Sequence, residues 1–181
     1  MIPLILDTDI GPDVDDVGAV ALLHILSRET PTRILAMTHC TSNPFGAGCL
    51  DAINRYYGQD IPVGTLSAPG FLVGPETELY NRHICETYPN RFRPGSGSAC
   101  PDANDLLRRT LAAAEDHSVE FVAIGPLPNL ARLVGDPGGR DLVARKVRRL
   151  VAMAGAETPD PEWNVLMDIP AAREVFRRWP T

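Results

Sequence analysis

Five carboxylates crowd the stretch Asp7-Thr8-Asp9-Ile10-Gly11-Pro12-Asp13-Val14-Asp15-Asp16, and no basic residue lies among them. Like charges this close cannot all stay ionised in a partly buried crevice unless a cation sits between them or some take up protons. A bound metal is the economical expectation. Donors that are all oxygen, without Cys or His, select a hard ion, and a set offering bidentate carboxylates and a backbone carbonyl favours Ca²⁺ over the smaller Mg²⁺. Gly11 lets the chain turn tightly, so that carboxylates on both sides of it converge. Helix capping by Asp13, Asp15 or Asp16 explains one or two of the five, but gives no reason for Asp7 and Asp9 at a strand end. An EF-hand is excluded by spacing, since counting from Asp7 the fifth position is Gly11 and the twelfth is Gly18.

The rest of the chain alternates β-branched and aliphatic runs with helix-like ones, punctuated by Pro, Gly and Asn. Strands are expected at Pro3 to Asp7, Arg33 to Thr38, Ile61 to Leu66, Val119 to Ile124 and Leu150 to Met153. Helices are expected at Asp15 to Arg28, Ala47 to Tyr57, Glu76 to Tyr88, Asp102 to Glu115 (capped by Asp102), Leu127 to Val134, an Arg-rich stretch before the fifth strand, and Ile169 to Trp179 after Asp168. The first helix is so apolar that it reads as sandwiched rather than surface-lying. Between Ser67 and Pro101 the pattern weakens into a Gly- and Pro-rich excursion, which in a compact domain is functional or mobile. The fold class is therefore α/β, a mainly parallel, Rossmann-like open sheet with helices on both faces. Such sheets bind ligands beyond the carboxyl ends of their strands, where the acidic stretch sits.

Composition sets the outer bounds. With 181 residues, a net charge of −6, 44% hydrophobic and 22% charged residues, the chain reads as one soluble domain spanning 1–181. Acids in excess argue against a nucleic-acid partner, and no apolar run is long enough for a membrane partner. The clusters Arg145 to Arg149 and Arg177-Arg178 read as solvated faces. Cys40, Cys49, Cys85 and Cys100 show no C-x-x-C spacing and the N-terminus shows no leader pattern, so a cytoplasmic location with reduced thiols is expected. An uncovered sheet edge makes a homo-oligomer plausible.

Three blocks carry a family resemblance. Ile5 to Asp16 resembles the N-terminal motif of the nucleoside hydrolases that act on inosine, uridine and related ribonucleosides, in the variant with extra residues before the final Asp pair. Val122-Ala123-Ile124-Gly125-Pro126-Leu127-Pro128-Asn129-Leu130-Ala131 resembles the family's strand-to-helix segment. Pro161-Glu162-Trp163-Asn164-Val165-Leu166-Met167-Asp168, with Ala171-Ala172, resembles its Glu-aromatic-Asn sugar segment. The resemblance implies Ca²⁺-dependent cleavage of the N-glycosidic bond of a ribonucleoside, giving free base and ribose. It implies Asp9, Asp16 and the backbone carbonyl of Ile124 as metal ligands, with Asp9 also the base that deprotonates the attacking water. Asp15, Asn43 and Asn164 would hold sugar hydroxyls, Glu162 and Met153 would line the far side of the ribose, and Asp7 would orient the others. His83 falls where the family has a histidine near the base pocket.

Plainer roles exist for several of these. Asn43 precedes Pro44 and suits a turn, Glu162 and Asn164 suit an exposed loop, and Met153 suits core packing. His24 and His117 read as structural, and so does His39. The sequence also departs from the resemblance. The family's chains run on to a further Asp ligand and, in many members, a leaving-group His, whereas this sequence ends at Thr181. The loop between Met153 and Glu162 is short, so one sugar-contacting Asn is absent. A weakened coordination shell and slower turnover are the expected result, and a metal- or nucleoside-binding homologue without turnover is the alternative. A haloacid-dehalogenase-type Mg²⁺ phosphatase would also use a strand ending in Asp-x-Asp-x-Gly, but it needs a partner lysine and Lys146 is the single one present.

Overall fold

The run Leu4-Ile5-Leu6 is apolar on both faces because its strand lies at the centre of a sheet covered on both sides. In the computed structural model, which describes residues 1–11, 13–158 and 160–181, Pro12 of the acidic motif lies outside the described residues. The strands β1 (Ile2–Thr8), β2 (Thr32–His39), β3 (Val63–Thr65), β4 (Val119–Ala123) and β5 (Val147–Ala152) form one all-parallel sheet in the order β3-β2-β1-β4-β5. Alternate residues of β1 enter opposite cores. Leu6, with Leu4 at its margin, packs with Val20, Leu23, Met37 and Leu50, whereas Ile5 packs with Leu107, Phe121, Leu130 and Val175.

The helices α1 (Asp15–Glu29), α2 (Gly46–Tyr56) and α3 (Tyr80–Thr87) cover the first face. Helices α4 (Ala103–Ala113), α5 (Pro128–Gly135), α6 (Pro137–Lys146), the short α7 (Trp163–Met167) and α8 (Ile169–Arg178) lie on the second. Asp102 caps α4 through Asn104 N–H and Asp105 N–H, and Asp168 caps α8 through Ala171 N–H, as their positions predict.

Four expectations need correction. Helix α1 is not sandwiched: Val20, Leu23 and His24 face the core, but Leu22, Ile25 and Leu26 are exposed, because nothing among the described residues packs over its outer face. The single helix expected over Glu76 to Tyr88 is a 3₁₀ turn at Pro75–Thr77 followed by α3, since the Thr77 carbonyl accepts from the Asn43 and Asn81 side-chain amides. Strand β5 begins three residues early, at Val147, because the buried Glu120 of β4 pairs with both Arg148 and Arg149 and draws them into the ladder. Helix α7 was not expected, and Glu162 makes it by accepting from the Asn164 and Val165 N–H groups. All four cysteines are free, and among the described residues no helix is long and apolar enough to cross a membrane.

Candidate functional site

The strand order reverses between β1 and β4, so the loops leaving these two strands diverge and open a crevice at their carboxyl ends. The acidic stretch leaves β1 into this crevice, Ile124 and Gly125 leave β4, Cys40 to Asn43 leave β2, and Met153 to Asn164 follow β5.

Asp7 forms the floor and is fully buried. Its Oδ1 accepts from the Thr38 hydroxyl and, at 2.8 Å, from Asn129 Nδ2, while Oδ2 has no partner among the described residues. Burial raises its pKa from 3.8 to about 7, and the Thr38 and Asn129 hydrogen bonds oppose the rise. Asp16 accepts from the Thr8 hydroxyl, which in turn accepts from the Ile10 N–H at 3.1 Å, so the strand end itself aims this carboxylate. Asp16 rises to about 7, first through burial and then through the charge of Asp9; Asp9 rises to about 7 through burial and the charges of Asp13, Asp7 and Asp15. Asp9 lies tight against the end of β4: a Cβ added at Gly125 would stand 2.6 Å from its Oδ1 and 2.7 Å from Cys40 Sγ.

Carboxylate oxygens of Asp13, Asp15 and Asp16 can all come within 4.8 Å of one another. Asp9 shares with them a cavity of about 440 Å³ that Ile124 also lines. This donor set fits a hard divalent cation. It is all oxygen, it holds two carboxyls that keep their charge at neutral pH only with help, and among the described residues no basic side chain lines the cavity.

The other wall comes from the segment after β5. Met153, half-exposed, lines the same cavity with Glu162, Trp163 and Asn164. Asn164 is buried and donates through Nδ2 to the Ile124 carbonyl at 3.1 Å and the Met153 carbonyl at 2.9 Å, tying the ends of β4 and β5 together. Burial alone would raise the pKa of Glu162, but the N–H groups of Asn164, Gly155 and Val165 outweigh it and hold the carboxyl below its ordinary range. Asn43 is buried in a separate, narrower cleft that Asp9 and Trp163 also line. Its Nδ2 donates to the carbonyl and the hydroxyl of Thr77, both at 2.9 Å, and its Oδ1 accepts from Phe45 N–H at 2.8 Å.

The structure thus brings Asp7, Asp9, Asp15, Asp16, Ile124, Asn43, Met153, Glu162 and Asn164 around one crevice. It does not bring His83 there: that side chain is exposed and lines an apolar cleft between α2 and α3 with Tyr56 and Tyr88. His24 is buried against Tyr57 and bonded to Asn54, and His39 is buried against the N-terminus of α2, where a Cβ on Gly46 would overlap its ring. Asp13, named in the acidic cluster, lies with Asp15 and Asp16, but sequence reasoning missed three contributors. Asn129 carries Asp7, and from the excursion Asn81 donates to Thr77 and Asn43 while the Tyr80 hydroxyl accepts from Gly11 N–H at 3.1 Å. Asn81 and Asn129 are fully buried, and the partners that satisfy them lie far away in sequence, so their residue type alone gives no signal of the role.

Comparison with known proteins sharpens this. The family model described as inosine-uridine preferring nucleoside hydrolase matches residues 4–181. No curated protein matches the chain by sequence. Among solved structures, a plant nucleoside hydrolase superposes with a TM-score of 0.64 at 25% identity, over 97% of this chain and 56% of that one. A purine-preferring ribonucleoside hydrolase from Gardnerella vaginalis gives 0.69 at 21% identity, over 97% and 58%. A crystallised effector protein gives 0.71 at 21% identity, over 98% and 52%. At 21% identity the last two likenesses speak for the fold alone, and the chain spans a little over half the length of each of the three.

Proposed function

Because the chain belongs to the inosine-uridine preferring nucleoside hydrolase family, we propose that it hydrolyses ribonucleosides at the N-glycosidic bond, giving free base and ribose, with Ca²⁺ in the acidic crevice. The observation that carries this reading is the set of carboxylates packed at the point where the sheet order reverses, two of them raised to about 7, with no basic side chain near among the described residues. Asp9, Asp16 and the Ile124 carbonyl are the groups that would hold the ion, with Asp13 and Asp15 at its open side. Bound there, the cation supplies the charge that makes a neighbouring water more acidic and a seat for a sugar diol.

The chain's own groups do the rest. Asp9 accepts the proton of the attacking water, whose oxygen joins C1′ of the ribose as the bond to the base nitrogen breaks; that nitrogen takes up a proton from solvent, and Asp9 later returns its own to solvent. Asp15 and the Asn164 carbonyl oxygen receive sugar hydroxyls, since the Asn164 amide group is already committed to two main-chain carbonyls. Glu162, kept ionised by three backbone N–H groups, favours positive charge developing on the ring. Asp7 holds its neighbours from below. Among the described residues the crevice offers a phosphate no basic side chain to pair with, and five carboxyls line it, which favours nucleosides over nucleotides.

The phosphatase alternative lacks its lysine in space as well. Lys146 Nζ pairs with Asp116 at 2.6 Å and with the Ala114 carbonyl at 2.8 Å, at the end of the sheet opposite the crevice. The test is to incubate the protein with inosine, uridine and a phosphate monoester, with Ca²⁺ or a chelator, and measure base, reducing sugar and phosphate. Ribose released in a chelator-sensitive way supports the hydrolase, Ca²⁺-dependent nucleoside binding without release supports a binding homologue, and phosphate release refutes both.

A further inference from the structure

The acidic loop gathers carboxylates that repel one another: the charges of Asp13 and Asp15 act on Asp9, and those of Asp9, Asp15 and Asp13 act on Asp16. Without an ion this repulsion favours an opened loop, and the work of reclosing it would be subtracted from the affinity for the ion. Two residues after Asp9 resist the opening. Ile10 is fully buried in the apolar cluster of the first face with Leu6, Val20 and Leu50, and Gly11, itself buried, donates its N–H to the Tyr80 hydroxyl at 3.1 Å.

Tyr80 opens α3 and is a fixed post. Its ring packs against the same apolar cluster as Ile10, and with Ile53 and Ile84 it walls the cleft between α2 and α3. Its neighbour Asn81 is fully buried and donates to the Thr77 carbonyl at 2.9 Å and to Asn43 Oδ1 at 3.3 Å, which ties the start of α3 to the loop after β2. The acidic loop meets this corner closely, since a Cβ added at Gly11 would stand 3.1 Å from Asn81 Nδ2 and 3.2 Å from the Thr77 carbonyl. Burial, and then the charge of Asp16, push the Tyr80 phenol far above its ordinary range, so it accepts from Gly11 without adding another negative charge to the crevice.

We propose that Tyr80 is a positioning residue for the ion site: its hydroxyl holds the Gly11 turn, so that Asp9 on one side and Asp13, Asp15 and Asp16 on the other are already gathered when a divalent cation arrives. The inference rests on the ion-binding part of the reading above. A tyrosine that only packs against α2 would contribute to stability and leave the affinity for the ion alone, whereas a post that holds a repelling loop closed contributes to that affinity directly. Phenylalanine separates the two, because it keeps the ring and leaves the buried Gly11 N–H without its acceptor.

Calorimetric titration of the full chain with Ca²⁺, for the parent and for Tyr80→Phe, is paired with hydrogen exchange at the Gly11 amide read by NMR. Tyr80→Phe is expected to bind Ca²⁺ about tenfold more weakly, as the loss of one hydrogen bond to a buried N–H implies. In the absence of Ca²⁺ its Gly11 amide is expected to exchange about tenfold faster than in the parent. A Ca²⁺ affinity within twofold of the parent, whatever happens to the melt, makes Tyr80 a packing residue and overturns the proposal. If the variant does not fold, the parent decides: a Gly11 amide protected before Ca²⁺ is added supports the proposal, and one protected only after Ca²⁺ binds overturns it. A parent that binds no Ca²⁺ overturns the ion reading and this one with it. Neither measurement needs turnover, so a chain that binds Ca²⁺ but releases no ribose fails the hydrolase reading alone.

Discussion

Removing the divalent ion should cost this protein more stability at pH 8 than at pH 5. The sign follows from the floor and rim carboxyls: an unfolded Asp ionises near 3.8, whereas Asp7, Asp9 and Asp16 hold their protons to about 7 when folded. Between those values the folded chain binds more protons than the unfolded one, so the stability of the ion-free protein falls as pH rises through that window. For one such carboxyl, moving from pH 5 to pH 8 crosses two units of the window and costs about 3 kcal/mol. In a chain of 181 residues that is a fall in Tm of about 5 to 10 °C. The three carboxyls share one crevice, so their costs overlap instead of tripling. In the proposed site Ca²⁺ would replace the protons as the source of neutralisation, which would flatten the profile. Differential scanning calorimetry at pH 5, 6, 7 and 8, with Ca²⁺ and with a chelator, measures both curves. A Ca²⁺-induced rise in Tm that is the same at pH 5 and pH 8, or that shrinks as pH rises, refutes the reasoning.

Asp9→Asn should lower kcat about 10²- to 10⁴-fold with the melt preserved or raised, since the proposed general base and a buried, crowded charge leave together; a variant keeping full activity removes Asp9 from that role. Gly125→Ala should weaken Ca²⁺ affinity and destabilise the fold by about 1–3 kcal/mol, because the new Cβ stands 2.6 Å from Asp9 Oδ1. Titration with Ca²⁺ and a urea melt check it, and parental values in both would show that the β4 end does not press on Asp9. Glu162→Ala should lose about 1 kcal/mol with the cap of α7 and raise KM for ribonucleosides, whereas an unchanged KM would leave Glu162 a capping residue and nothing more.

The acidic loop was legible because its signal is local: five carboxylates in ten residues need neutralising wherever the chain goes. The sheet was legible from the alternation of apolar runs and helical stretches, and with it the end of the sheet where the loop must lie. What lay hidden depended on partners distant in sequence. Gly11 and Tyr80 are 69 residues apart, and Asp7 and Asn129 are 122 apart, and no periodicity links such pairs. His83 is close in sequence to Asn81, yet it lines the apolar cleft between α2 and α3, whereas Asn81 is buried and bonded to Asn43 and Thr77. The apolar content of α1 pointed to burial on all sides, but residue type alone does not reveal that no second layer covers its outer face. Glu162 and Asn164 were placed by resemblance, and the hydrogen bonds that turn them into a cap and a strand tie arise only once β4 and β5 lie side by side.

The stretch from Ser67 to Pro101 meets the crevice through a few side chains, chiefly Leu72, Thr77, Tyr80 and Asn81, and is pinned to α2 by the Arg91 grip on the buried Asp51. Such an attachment leaves the segment between its pins open to change in length and composition without disturbing the sheet or the acidic loop that follows β1.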